Sequence, residues 1–368
     1  SRIQAPVFSA GAENNNERWR NEMKAAVFYG PGDMRVEEVP LPECPPGGAL
    51  VKLSGSMICG SDIKIYNNGH PNIKPPHITG HESCGRLVEM KAEIPGIKIG
   101  DRVTVQTSIP CGSCNNCHRG WFNICENLKG ISQNYNGVFA EYVAIPEQAV
   151  KMGNLIKAPD SLTDEEVCLS EPLACVINGQ DFLSIKPGEN VLIIGAGPIG
   201  ILHAELAKYS GARVIIAEKS PSRLEMAKGF SYSAYIDTGK YSLVKETLSL
   251  TNGSGADVAI VTAPVREAME QAVEALDFRG RLSFFGSLKK GDSNITIDSR
   301  PIHYKELMLY GASSSGTIHM KRALGILAGG VINSKGIVTH RLPLNKIVEG
   351  IKLGIEGKGI KVYLDNSL

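Results

Sequence analysis

Two textures in one chain predict an α/β protein: a β-rich, barrel-like unit joined to a parallel, doubly wound sheet. From Met23 to about Ser161 the apolar segments are short and strand-like, punctuated by Gly and Pro. From about Asp164, apolar strands alternate with amphipathic helices, the order that builds a parallel sheet covered on both faces. The third observation is Val191-Leu-Ile-Ile-Gly195-Ala-Gly197-Pro-Ile-Gly200. An apolar run enters three glycines at G-x-G-x-x-G spacing and a helical segment follows.

That glycine turn is a candidate dinucleotide site. Gly195 permits the tight turn, Gly197 lets a pyrophosphate approach the backbone, and Gly200 lets helix pack on strand. The helix N-terminus offers unpaired N–H groups and partial positive charge to a phosphate. The context that strengthens the pattern is a second strand ending in an acid about 20 residues on. Arg213-Val-Ile-Ile-Ala217 is that strand and Glu218 is the acid. A carboxylate there accepts the ribose hydroxyls of NAD and repels the 2′-phosphate of NADP, so NAD is the expected cofactor.

The remaining elements follow the same logic. The strand-like runs of the first part are Ala49 to Ser54, Gly85 to Met90 and Asp101 to Val105, with Pro-Gly joints at 31–32 and 95–96. Thr163-Asp-Glu-Glu166 marks a helix start, with Thr163 as N-cap and acids in the first turn. The strands beyond it are Val191–Ile194, Val214–Ala217, Val258–Val261 and Arg281–Phe285. Helices are expected over 199–210, 221–229, 241–250, 265–277 and 317–329. The end is strand-rich, over Val338 to Leu342 and Ile360 to Leu364. Residues 1–22 lack periodicity and are expected to be an expression leader or a mobile tail.

A chain of 368 residues with net charge +1 and no basic cluster speaks against a nucleic-acid partner. No apolar run approaches the roughly 20 residues of a membrane span, so no membrane partner is expected. No secretory signal pattern is present, and a cytoplasmic protein is expected. The nine cysteines include a tight group, Cys111, Cys114, Cys117 and Cys125. Four thiolates close a tetrahedral shell around zinc and leave no open position, which makes a structural site. An iron–sulfur cluster or inert thiols are the alternatives. A second, dispersed set comprises Cys59-Gly-Ser-Asp62, His81-Glu82 and Glu171. These residue types are competent zinc ligands, but their spacing alone does not single out a site.

Taken together, these motifs resemble the zinc-dependent medium-chain dehydrogenase/reductase family, in its sorbitol (polyol) and threonine dehydrogenase-like branch. The resemblance rests on Cys59-Gly-Ser-Asp62, Gly80-His81-Glu82-Ser-Cys-Gly85, Gly100-Asp101-Arg102-Val103, the four-cysteine lobe, Glu171-Pro172-Leu173, the glycine turn and Val338-Thr-His340-Arg-Leu-Pro343. It implies a GroES-like catalytic domain over 23–165 and 311–368, with a structural zinc lobe at 108–128, and a Rossmann NAD-binding domain over 166–310. It implies two zinc ions, one catalytic and one structural. Cys59 and His81 are then zinc ligands. Glu82 is expected to bind directly, and Glu171 to act through water or to exchange in. Ser61 takes the place of the proton-relay hydroxyl. On the cofactor side Glu218 and Arg223 fit the adenosine ribose, and Ile199 lies beneath the pyrophosphate. Phe285-Gly286-Ser287 and Ala312-Ser313-Ser314 line the nicotinamide.

The resemblance implies NAD-dependent oxidation of a small-molecule secondary alcohol by an enzyme assembled as a homodimer or homotetramer. A polyol, cyclitol or sugar is the first reading of the substrate. A sugar phosphate or an L-threonine-type 3-dehydrogenase is the alternative. Ile65 and the run Ser313 to Ser315 stand where polyol enzymes carry substrate-pocket residues, so substrate choice is expected to sit there. A zinc-free quinone-type reductase and a catalytically inactive nucleotide-binding protein are the readings to be excluded.

Overall fold

The computed structural model describes residues 21–289 and 291–368. Most of the expected leader, residues 1–20, lies outside the described residues. Within them the first strand, Glu22–Gly30, opens at Glu22 opposite Pro40, one residue before Met23.

The first part of the chain forms two sheets. The smaller joins Glu22–Gly30 to Asp33–Pro40 and His77–Ile78. The larger has strand Ala49–Met57 at its middle, flanked by Glu82–Met90 and by the last strand, Lys361–Asp365. The chain end therefore returns to pair with Ala49–Met57, with Tyr363 opposite Met57. Glu82 also lies opposite Met57. One register position thus gathers the residues after Met57, the residues around Glu82 and the start of the last strand.

The second part is a six-stranded, all-parallel sheet. In chain order its strands are Asn190–Ile194, Arg213–Glu218, Ala234–Asp237, Ala256–Val261, Leu276–Phe284 and Met308–Gly311. Their spatial order is third, second, first, fourth, fifth, sixth. The order reverses beside Asn190–Ile194, and ligands of such sheets bind in the crevice beyond the strand ends at that point. Alternate residues of this strand enter different cores. Val191 and Ile193 join one cluster, while Leu192 and Ile194 join another across the sheet. This is why the run is continuously apolar.

Helix Asp164–Asp181 links the two parts. It begins with a capping box in which Glu166 N–H donates to Thr163 Oγ1 and Thr163 N–H donates to Glu166 Oε2. It packs on strands Glu82–Met90 and Ala49–Met57 on one hand and on helices Pro198–Tyr209 and Thr317–Ala328 on the other. The helix expected over 265–277 stops at Glu274, because Leu276 already pairs with Ala256 in the parallel sheet. Among the described residues, no helix is long and apolar enough to cross a membrane.

Candidate active site

Cys59 follows strand Ala49–Met57 and is the N-cap of helix Gly60–Asn68. His81 and Glu82 stand at the start of strand Glu82–Met90. The shared register at Met57 brings them together: one ligand atom each from Cys59, His81 and Glu82 lies within 4.8 Å of the others. Glu171, in the buried middle of helix Asp164–Asp181, is outside that trio. His81 and Glu82 are nonetheless among its electrostatic neighbours. Burial first, then repulsion from Glu82, raise its carboxyl to about 7 against the attraction of His81 and Lys361.

Two residues without an expected role complete the set. Asp62 is fully buried and its Oδ1 lies 3.4 Å from His81 Nδ1, while Oδ2 accepts the Cys59 N–H at 2.9 Å. A carboxylate beside Nδ1 is the kind of neighbour that orients a metal-binding imidazole. Burial works against a charged His81, but Asp62 and Cys59 outweigh it and raise the imidazole well above its ordinary value. Ser61 is exposed, with Oγ 3.4 Å from His81 Nε2. Lys361 is the second unforeseen residue. Its Nζ donates to both oxygens of Glu82 at 2.5 Å and to Ile58 O at 3.2 Å. No spacing rule points to it, since 279 positions separate it from Glu82.

The four-cysteine lobe forms the second metal-competent group, with its four sulfurs within 4.8 Å of one another. Sulfurs of Cys111 and Cys117 are 4.0 Å apart, and those of Cys114 and Cys125 are 3.7 Å apart. A tetrahedral zinc with about 2.3 Å bonds to sulfur requires about 3.8 Å. Cys125 Sγ accepts the N–H groups of Cys111 and Asn127, the support thiolates need. Hydrogen bonds from Ser113 lower the Cys111 thiol to about 5, whereas burial pushes Cys117 up to about 12. A cation is what allows all four to ionise together. The donor chemistry of both groups fits zinc. His118, beside a ligand, is exposed.

The nucleotide turn is equally specific. Gly195 has φ +108°, and a Cβ there would meet Thr262 Oγ1 at 2.6 Å; a Cβ on Gly200 would fall 1.8 Å from Gly195 O. Nothing lies within 4 Å of the position a Cβ would take on Gly197, which caps helix Pro198–Tyr209. Ile199 is half-buried in its first turn. Glu218 ends the second strand and ties the turn together. It accepts the Ala196 N–H at 2.7 Å and the N–H groups of Lys219 and Ser220 at 2.8 Å. A carboxylate offers about four acceptor positions, so these three donors leave one unused. Arg223 lies against Gly357, in the turn after helix Ile347–Glu356.

Among the residues expected to line the nicotinamide, Phe285 packs edge-on against His203, with centroids 4.5 Å apart, and covers Gly179. Gly286 sits tight against Thr262 O, and Ser287 is exposed. Ala312 and Ser314 are half-buried and Ser313 is exposed. Two positions expected to choose the substrate do not reach open space. Ile65 is turned with Asp62 to the inner face of helix Gly60–Asn68 and belongs to the core with Phe28 and Phe139. Ser315 is sealed, and its Oγ accepts from Gln106 Nε2 at 2.7 Å.

Comparison with known proteins agrees with this geometry. Residues 45–159 match the family model described as the alcohol dehydrogenase GroES-like domain, and residues 198–328 match that of the zinc-binding dehydrogenases. An L-threonine 3-dehydrogenase of Pyrococcus horikoshii is 37% identical over 349 residues, covering 92% of this chain and 96% of the relative. A D-arabitol-phosphate dehydrogenase of Enterococcus avium is 31% identical over 353 residues, covering 94% and 98%. Among solved structures, 2R,3R-butanediol dehydrogenase from Bacillus subtilis superposes with TM-score 0.84 at 28% identity, over 93% of this chain and 99% of that one. A Sinorhizobium meliloti protein solved with NADP gives 0.85 at 30% identity, over 94% and 100%.

Proposed function

Because the chain belongs to the zinc-dependent medium-chain dehydrogenase/reductase family, we propose that it oxidises the secondary hydroxyl of a small polyol, cyclitol or sugar and passes the hydride to NAD. The activity class, transfer of hydride between an alcohol and a nicotinamide cofactor, is that of the family. The convergence of Cys59, His81 and Glu82 on one point, with Glu171 beside it, carries the reading. An L-threonine-type 3-dehydrogenase is the second reading, favoured by the Pyrococcus relative.

In this reading Cys59, His81 and Glu82 hold the catalytic zinc, and Glu171 completes or exchanges into the set. Bound zinc supplies Lewis acidity, which lowers the pKa of a hydroxyl brought to it. Asp62 keeps His81 in register, and Lys361 balances the charge of Glu82. Ser61 Oγ is the exposed group that receives the released proton and passes it outward. Gly195, Gly197, Ile199 and Gly200 hold the pyrophosphate, and Glu218 and Arg223 hold the adenosine ribose. Phe285 to Ser287 and Ala312 to Ser314 would flank the nicotinamide, the group that would supply the hydride acceptor. The four cysteines of the lobe hold a structural zinc.

Glu218 is the reason for NAD over NADP. A carboxylate at the end of the second strand would repel a 2′-phosphate, even though the Sinorhizobium meliloti relative was solved with NADP. We place the domain limits at 23–165 with 311–368 and at 166–310. A cytoplasmic homodimer or homotetramer is the expected assembly. The test is a panel of polyols, cyclitols, sugar phosphates and L-threonine, followed by NADH absorbance. Turnover confined to L-threonine would move the substrate assignment to the second reading.

A further inference from the structure

The four-cysteine lobe is tied directly to the segment that follows the last strand of the parallel sheet. Asn123 lies in the short turn Phe122–Ile124, between Cys117 and Cys125. Its Nδ2 donates to Ser313 O at 2.9 Å. Phe122 of the same turn borders Gly316, where a Cβ would lie 3.8 Å from Phe122 Cβ. The turn is itself braced, because Asn116 Nδ2 donates to Ile124 O at 2.7 Å. A second amide reaches the same carbonyl: Asn178, on helix Asp164–Asp181, donates to Ser313 O at 3.3 Å and to Ser314 O at 2.9 Å. Ser314 holds a φ of +56°, and its Oγ meets Ser108 Oγ at 2.8 Å. The left-handed conformation of Ser314 carries a backbone cost that these surrounding contacts offset.

We infer that Asn123 is a positioning residue for the nicotinamide ring. The lobe sets the path of Ala312 to Ser314 through the Asn123 amide-to-carbonyl bond and the Ser108–Ser314 hydroxyl contact, so order in the lobe is felt as cofactor affinity. This rests on the reading above that Ala312 to Ser314 flank the nicotinamide. The lobe is then more than a stabilising clip. Its cysteines fix the turn, the turn aims Asn123, and Asn123 with Asn178 holds a strained segment in place.

The test uses the full-length, zinc-loaded protein. Asn123→Ala removes the donor, and Asn123→Asp keeps the shape while replacing the donor by an acceptor. A hydrogen bond of about 1 kcal/mol corresponds to about fivefold in affinity. Each variant is expected to raise the Kd for NADH about three- to tenfold and to raise the KM for NAD with little change in kcat. Each keeps two zinc ions per chain by elemental analysis and an unchanged Kd for ADP-ribose, which lacks the nicotinamide. With Asn178→Ala the effects on NADH are expected to be non-additive, since both amides serve one carbonyl. Wild-type NADH affinity in both Asn123 variants, or an equal loss for ADP-ribose, overturns the inference. Ala312→Phe separates this from failure of the underlying reading. It is expected to block NADH and spare ADP-ribose. If Ala312→Phe binds NADH normally, the nicotinamide reading falls and the inference with it. If it blocks NADH while both Asn123 variants stay normal, the inference alone falls.

Discussion

Lys361 Nζ is shared equally by the two carboxylate oxygens of Glu82, each at 2.5 Å, and both side chains are buried. Burial alone would push the Lys361 ammonium down; Glu82 outweighs it, and the net direction is up. The pair joins the first residue of the last strand to the residue after His81. It therefore bridges the two strands that flank Ala49–Met57 and places a cation beside the metal-competent trio.

Removing one partner leaves the other charged and buried. Lys361→Met is expected to cost about 3–5 kcal/mol of stability in the metal-free protein, read by urea unfolding. The zinc-loaded variant loses less, because the cation takes over part of the compensation. Glu82→Gln combined with Lys361→Met recovers most of the loss. A cost below about 1 kcal/mol for the single change would contradict a buried pair whose partners depend on each other.

His81 makes zinc affinity depend on pH. Its folded value is raised, chiefly by Asp62 against the effect of burial. The metal-free site then holds a proton that zinc must displace, so affinity rises with pH up to that raised value. The same shift contributes stability to the metal-free protein below the ordinary histidine value and loses it as pH rises through the folded value. Asp62→Asn moves both dependences to lower pH and reduces zinc affinity about 10- to 100-fold. Chelator competition at a series of pH values measures it, and an unmoved profile would remove Asp62 from this role.

Glu218 holds the turn at Ala196 and, in the proposed reading, also meets the ribose. Glu218→Ala is therefore expected to weaken NAD by more than one lost hydrogen bond, about tenfold or more, and to narrow the preference over NADP. Binding titrations with both cofactors check this. Unchanged discrimination would place the selectivity elsewhere.

His203 predicts an acid-sensitive Rossmann core. It is fully enclosed, with Gln180 Nε2 3.2 Å from its Nδ1, and burial lowers its imidazole to about 3. A depressed value means that its contribution is complete above the ordinary value of 6.5 and is lost as pH falls toward 3. The shift corresponds to at most about 5 kcal/mol. His203→Asn is expected to lower stability at neutral pH and to flatten the fall in melting temperature across that window. An equally steep fall in the variant would assign the acid sensitivity to other groups.

Much of this arrangement was legible in the chain. Thr163 and the acids after it announced a helix start, and Gly195, Gly200 and Glu218 announced a strand–turn–helix unit of the dinucleotide-binding kind. What escaped was what depends on distant strands meeting. Lys361 sits in an alternating strand pattern where a lysine reads as exposed, and only the register with Met57 turns it inward. Ile65 stood beside a site motif, but the helix that carries Asp62 inward carries Ile65 with it. The helix near 265–277 was overextended because local pattern cannot see that Leu276 pairs with Ala256. The ties from Asn123 and Asn178 to Ser313 span 190 and 135 positions, beyond any spacing rule.

The central claim is alcohol oxidation by NAD at the Cys59–His81–Glu82 set. Its most direct measurement is NADH absorbance when zinc-loaded protein is mixed with NAD and the substrate panel, beside Cys59→Ser under the same conditions. The account predicts NADH formation with at least one secondary alcohol and none in the variant, which still binds NADH. Formation at equal rates in Cys59→Ser, or reduction of NADP with no reduction of NAD, would contradict it.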